Sequence, residues 1–160
     1  GATVAILRED MLERIPSTLP AYLSYKNHVE NDSLYNTPPV FAIWTIKLVL
    51  ERMKKLGGLA AVADHNARKA AVLYEAITNS GGFYRCPVDP QYRSDMNVVF
   101  RLPSEDLEKK FVKEAEALGM IGLKGHRSVG GCRASLYNAM PLEGSQALAS
   151  FMKDFATKNG

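Results

Sequence analysis

The hydrophobic pattern changes character along the chain, and the changes outline its elements. Thr3–Arg8, "TVAILR", is a short apolar run that predicts a buried strand. Glu9–Leu12 reads as a turn or helical start, and Ile15–Tyr25, carrying Pro16 and Pro20, as irregular chain. Asn31–Pro39, "NDSLYNTPP", is rich in turn formers, and its two prolines suit the first turn of a helix, where a missing N–H costs nothing. The helix predicted from about Pro39 to Leu56 stops at Gly57-Gly58. Its residues Val40, Phe41, Ala42, Ile43, Trp44, Ile46, Leu48, Val49 and Leu50 leave almost no polar face before Glu51. A helix that is apolar all round is buried on all sides. Either it is a central core helix of this domain, or it packs against another subunit or a further part of the same chain.

Beyond Gly58 the period is cleaner. Leu59, Val62, Ala63, Asn66, Ala70, Leu73 and Ile77 recur at helical spacing, predicting a helix over 59–80 that ends at Gly81-Gly82. Phe83–Cys86 reads as a short strand, and "VDPQYRSD" as a loop. Met96–Leu102 sets Met96, Val98, Phe100 and Leu102 against Asn97, Val99 and Arg101, the alternation of a half-buried strand. Ser104 caps a helix whose stripe is Leu107, Phe111, Ala115 and Leu118, with Glu105 and Asp106 at the positive end of its dipole and Gly119 as its stop. Ile121–Leu123 and Cys132–Tyr137 read as strands, the second with Cys132, Ala134 and Leu136 on one face and Arg133, Ser135 and Tyr137 on the other. A last helix from near Leu142 buries Leu148, Phe151, Met152 and Phe155. The expected architecture is α/β: a mostly antiparallel small sheet with packed helices over 58–160, preceded by residues 1–57 that read as the tail of something larger. The chain enters its first strand-like run at once, as if cut beside a strand.

Composition narrows the functional classes. The 160 residues are 46% hydrophobic and 23% charged, a globular balance, and the formal net charge of +3 is too small and dispersed to argue for nucleic acid. No apolar run is long enough for a membrane span, and no secretory leader is visible, so a cytoplasmic protein is expected. Cys86 and Cys132 match no metal spacing, and free thiols are expected, with a disulfide as the alternative. His28 and His65 have no metal partner at useful spacing.

The stretch "KGHRSVGGCRAS", Lys124–Ser135, carries the candidate chemistry. His126, Arg127 and Arg133 surround two adjacent glycines, which permit a tight turn and close approach. The guanidinium fork matches carboxylate and phosphate, so the stretch reads as an anion cradle. A strand arginine such as Arg133 is also commonly solvated or salt-bridged, and a lone histidine such as His126 commonly structural; their proximity favours the cradle. Asn36 and Thr37 precede the proline-started helix, where an amide, a hydroxyl and a helix N-terminus suit either a phosphate or plain capping. Lys109, Lys110, Lys113, Glu114 and Glu116 read as the wet face of a helix.

"ENDSLYNTPPVFAIW", "DMNVVFRLP" and "GLKGHRSVGGCRASLYNAMPLEG" resemble the phosphoserine aminotransferase family, class-V pyridoxal-phosphate enzymes of the aspartate aminotransferase fold type. The resemblance extends over essentially all 160 residues and corresponds to roughly the second half of the family's length. It implies a homodimer that exchanges amino groups between O-phosphoserine/3-phosphohydroxypyruvate and glutamate/2-oxoglutarate in serine biosynthesis, and in many bacteria a pyridoxine-pathway reaction. It implies that 1–57 is the tail of the large pyridoxal 5'-phosphate-binding domain and 58–160 the C-terminal small domain. It implies that Asn36 and Thr37 reach the cofactor phosphate across the dimer, and that Arg133 binds the substrate α-carboxylate. His126 and Arg127 would take the substrate phosphate or the glutamate side-chain carboxylate. The family's aldimine-forming lysine, the aspartate at the pyridine nitrogen and the stacking aromatic match positions upstream of Gly1, so no catalytic residue is assigned here and residues 1–160 alone are expected to be inactive. Nothing implies a metal, nucleic acid or membrane partner. A non-enzymatic phosphate- or amino-acid-binding α/β module is the alternative.

Overall fold

A computed structural model describes residues 1–160, which divide into two units, Gly1–Lys55 and Leu56–Gly160. In the first unit a 3-10 helix over Glu9–Arg14 and another over Ala21–Leu23 lead into a short helix α1, Tyr25–Glu30. The histidine of α1, His28, donates from Nε2 to the Tyr22 carbonyl at 2.9 Å, which accounts for it structurally. The long helix α2 spans Val40–Lys55. The expected strand at Thr3–Arg8 is absent, and these residues lie in irregular, almost wholly exposed chain. An extended segment becomes a strand only when a neighbour takes up its backbone groups, and this unit offers none. The unit buries no residue; Phe41 is 77% exposed and Trp44 54%. The apolar face demanded by α2 is therefore not supplied within Gly1–Lys55.

The second unit has its own core. Helix α3, Gly58–Thr78, buries Val62, Asn66, Lys69, Ala70, Leu73 and Ile77, whereas Leu59 stays exposed. Helix α4, Glu105–Ala117, starts from Ser104, whose Oγ accepts from the Leu107 N–H at 3.3 Å. It turns Phe111 and Ala115 inward; Leu118, expected in that stripe, falls beyond the last turn and is exposed. Helix α5, Leu142–Asn159, buries Leu148, Met152 and Phe155. Two strands, β1 (Asn97–Phe100) and β2 (Cys132–Ser135), pair antiparallel with Val98 opposite Ala134 and Phe100 opposite Cys132.

The pleat sends those four side chains to the helices, where they are buried. Phe111 sits at the centre, its ring 5.6 Å from Phe100, 5.1 Å from Phe155 and 4.9 Å from Phe151. The opposite face carries Asn97, Val99, Arg133 and Ser135, all half-buried. The strands expected at Phe83–Cys86 and Ile121–Leu123 shrink to single bridges, Arg85 with Arg101 and Lys124 with Cys132. Gly81-Gly82 and Gly122 turn the chain away from the ladder on either side, so only one residue of each approach remains in register.

Candidate anion-binding site

The chain from Leu123 to Arg133 doubles back on itself. Arg133 N–H donates to the Leu123 carbonyl and Gly125 N–H to the Gly131 carbonyl, each at 2.8 Å. At the tip, the N–H groups of Val129 and Gly130 both converge on the His126 carbonyl, at 2.9 and 2.7 Å. Gly130 and Gly131 have φ of 74° and 72°, the left-handed region that side-chain-bearing residues rarely adopt. The loop is thus closed by backbone bonds and needs none of its charged side chains for its own turn.

Of those side chains, His126 is engaged on one ring nitrogen by Ser128 alone. The Ser128 N–H donates to His126 Nδ1 at 3.3 Å, and the Ser128 hydroxyl lies 2.7 Å from the same nitrogen. With Nδ1 accepting, the neutral ring carries its proton on Nε2, as a donor. Arg127 is exposed. Together with Lys124 and Arg101 they line an open cavity of about 780 Å³, with Glu105, Glu108 and Glu116 on its helical side.

Arg133 stands apart from that lining. It projects from β2 opposite Val99, on the sheet face turned away from α3 and α5, and its Nε is buried without a hydrogen-bond partner. A buried donor without an acceptor costs about 1–3 kcal/mol. The donor is thus available to an acceptor that the chain does not itself provide. The sequence reading placed His126, Arg127 and Arg133 in one cradle; the structure joins the first two and sets Arg133 on an adjoining surface.

Asn36 and Thr37 are exposed just ahead of α2, in the other unit. Both present donors as the chain enters a helix N-terminus, so the donor set fits a phosphate.

Two supporting side chains carry no signal in the sequence pattern. Arg101 sits at the outer end of the β1 alternation, and its guanidinium donates to the Val129 carbonyl and faces Glu108 at 3.4 Å. Lys69 lies in the apolar stripe of α3, fully buried, and donates to the carbonyls of Leu136 and Tyr137, both at 2.9 Å. These carbonyls follow β2 directly, so Lys69 pins the end of the strand that bears Arg133. Neighbouring Asn66 donates to the Asn138 side chain at 2.8 Å, tying the next residues to the same helix.

The chain is similar to known proteins in sequence and in shape. The family model described as "Aminotransferase class-V" matches residues 1–148. The chain is 59% identical over 155 residues to phosphoserine aminotransferase of Geobacillus kaustophilus, covering 97% of this chain and 43% of the relative. It is 56% identical over 160 residues to that of Herpetosiphon aurantiacus, covering all of this chain and 44% of the relative. The solved phosphoserine aminotransferase from Bacillus circulans subsp. alkalophilus superposes with a TM-score of 0.92 at 52% identity, over 96% of this chain and 43% of that one. A solved enzyme from Trichomonas vaginalis, described as having pyridoxal phosphate bound, superposes at 0.83 with 40% identity, over 92% and 42% of the two chains. The chain spans less than half the length of these relatives. It belongs to the class-V aminotransferase family.

Proposed function

We propose that the chain is the C-terminal portion of a phosphoserine:2-oxoglutarate aminotransferase, contributing substrate clamps rather than the reacting lysine. On this reading 1–57 is the tail of the large cofactor domain and 58–160 the small domain. The complete enzyme is a cytoplasmic homodimer serving serine biosynthesis, and in many bacteria pyridoxine biosynthesis. The relatives' names support the reading, and one observation in this chain carries it: Arg133 Nε, buried and unpartnered, on the surface adjoining His126 and Arg127. A small substrate with a carboxylate at one end and a phosphate at the other needs two such separate clamps.

Arg133 holds the α-carboxylate and so fixes the orientation of the amino-bearing carbon. His126, through Nε2–H, and Arg127 take the phosphate of O-phosphoserine or the distal carboxylate of glutamate; the same donors serve both because both present paired oxygens. Asn36 and Thr37 would hold the phosphate of pyridoxal 5'-phosphate belonging to the partner subunit. That cofactor, when bound, supplies the electron sink for amino transfer.

The test titrates the chain with O-phospho-L-serine and with inorganic phosphate, observed by backbone amide shifts. Arg127→Met should weaken both ligands by about tenfold or more, the loss of one charge-assisted contact. Arg133→Met should weaken O-phosphoserine by a similar factor and leave inorganic phosphate unchanged. If Arg133→Met leaves both unchanged, the carboxylate assignment is wrong. Added pyridoxal phosphate should keep the absorbance of the free cofactor in the presence of O-phosphoserine. A band that converts to the pyridoxamine form would refute the claim that residues 1–160 lack the reacting lysine.

A further inference from the structure

The double glycine has a second occupant to explain. A Cβ on Gly130 would stand 3.0 Å from Arg101 Nη1, and a Cβ on Gly131 would stand 2.9 Å from Arg101 Cδ and 3.1 Å from its Nε. The glycines therefore make room for a protein guanidinium as well as for the turn. Arg101 is itself fixed: its backbone N–H and carbonyl are both paired with Arg85, at 2.8 and 3.0 Å. Its side chain is 30% exposed, and that of its partner Glu108 is 11% exposed. Glu108 in turn accepts from the Leu102 N–H at 3.4 Å, so the carboxylate is held from the backbone of the same strand end.

We propose that Arg101, braced by Glu108, is a positioning residue: it holds the Lys124–Gly131 loop in the one shape that turns His126 and Arg127 onto a common cavity. The loop's own bonds close its tip but do not attach it to the body of the unit. Arg101 makes that attachment by donating to the Val129 carbonyl while its stem lies along Gly130 and Gly131. Arg suits the task because its planar fork serves the carbonyl and the carboxylate at once, which a lysine ammonium on a flexible stem does less well. The effect on ligand affinity rests on the anion-site reading above; the effect on loop shape does not.

Two variants of the whole chain test it, followed by hydrogen exchange at the Gly125, Val129 and Gly130 amides and by titration with inorganic phosphate. Arg101→Met keeps the stem and removes the donors. It should speed exchange at those three amides by about tenfold, leave the Val98 and Phe100 amides within about twofold, and weaken phosphate by about tenfold. Glu108→Met decides between bracing and plain electrostatics. Removing a negative charge from the cavity wall would tighten phosphate if charge alone mattered; loss of the brace should weaken it, by about threefold or more. Unchanged loop exchange in Arg101→Met, or tighter phosphate in Glu108→Met, overturns the proposal. If the loop loosens as expected but the parent chain binds no phosphate, the brace stands and the anion-site reading falls.

Discussion

Replacing Lys69 by methionine tests how the strand carrying Arg133 is anchored. Methionine keeps the unbranched stem and its packing within α3, and removes the ammonium. Two bonds are lost, to the Leu136 and Tyr137 carbonyls, each 2.9 Å long. Hydrogen bonds to a charged group contribute about 1.5–3 kcal/mol each after desolvation is counted, or roughly 3–6 kcal/mol for the pair. The Tyr137 carbonyl lies on the part-buried side, where water replaces much of its lost bond; the Leu136 carbonyl is buried and has no such recourse. The expected net loss is about 2–3 kcal/mol. In urea unfolding this is a midpoint lower by roughly 1–2 M with the slope unchanged.

The same variant has a pH signature. Burial lowers the Lys69 pKa from its ordinary 10.5. Between the depressed folded value and 10.5 the unfolded chain binds the extra proton, so parent stability rises with pH through that window. K69M lacks the group and lacks this contribution, while every other titration is common to both proteins. The stability gap between parent and variant should therefore widen from pH 7 toward pH 10.5. A midpoint unchanged within roughly 0.3 M, or a gap that narrows as pH rises, would refute the assignment of Lys69 as the clamp on β2.

Other consequences are simpler to read. Burial, with the Glu108 carboxylate adding to it, pushes the Cys132 thiol up to about 12, and Cys132 is only 1% exposed. A thiol reagent near pH 8 should modify Cys86 alone, and both cysteines after unfolding; rapid loss of both native thiols would show that the sheet opens. Phe111→Ala should cost about 3–5 kcal/mol, because Phe111 is fully buried among four aromatic rings. Phe41→Ala, at a position 77% exposed, should change the stability of this chain by less than about 0.5 kcal/mol. Calorimetry of the two variants side by side checks both, and equal losses would mean that α2 is buried.

What the sequence makes legible is what local periodicity enforces. The alternation of Val98, Phe100 and Leu102, and that of Cys132, Ala134 and Leu136, reappear as the buried face of the sheet because a pleat can present them no other way. The stripes of α3, α4 and α5 follow for the same reason, with slips at Leu59 and Ala63 of α3 and at Leu118 beyond α4, all of which stay exposed. Strand identity is not local. "TVAILR" has the composition of a strand and no partner in its unit, and two other candidates kept a single bridge each. A short helix, Tyr25–Glu30, was missed because six residues carry too few turns for a period to show.

The site divides along the same line. His126, Arg127 and Arg133 were visible because residue type alone marks an anion ligand when it stands beside a flexible turn. Their division between a cavity and a separate sheet face was not, since it depends on which face of β2 Arg133 leaves from and which way the loop folds. The supporting residues were invisible for a stronger reason. Arg101 reads only as the polar side of a strand alternation, Glu108 carries no signal of its own in the sequence, and Lys69 is a charged residue inside an otherwise apolar stripe. Each acquires its role from a partner distant in sequence: Val129 for Arg101, Leu136 and Tyr137 for Lys69. Unscreened charges are costly inside a protein unless they are bonded. A buried cation with a satisfied backbone partner is therefore strong evidence of a position the fold must hold. Lys69 is such a cation, on the strand with Arg133, and the part-exposed Arg101 acts likewise on the loop with His126 and Arg127.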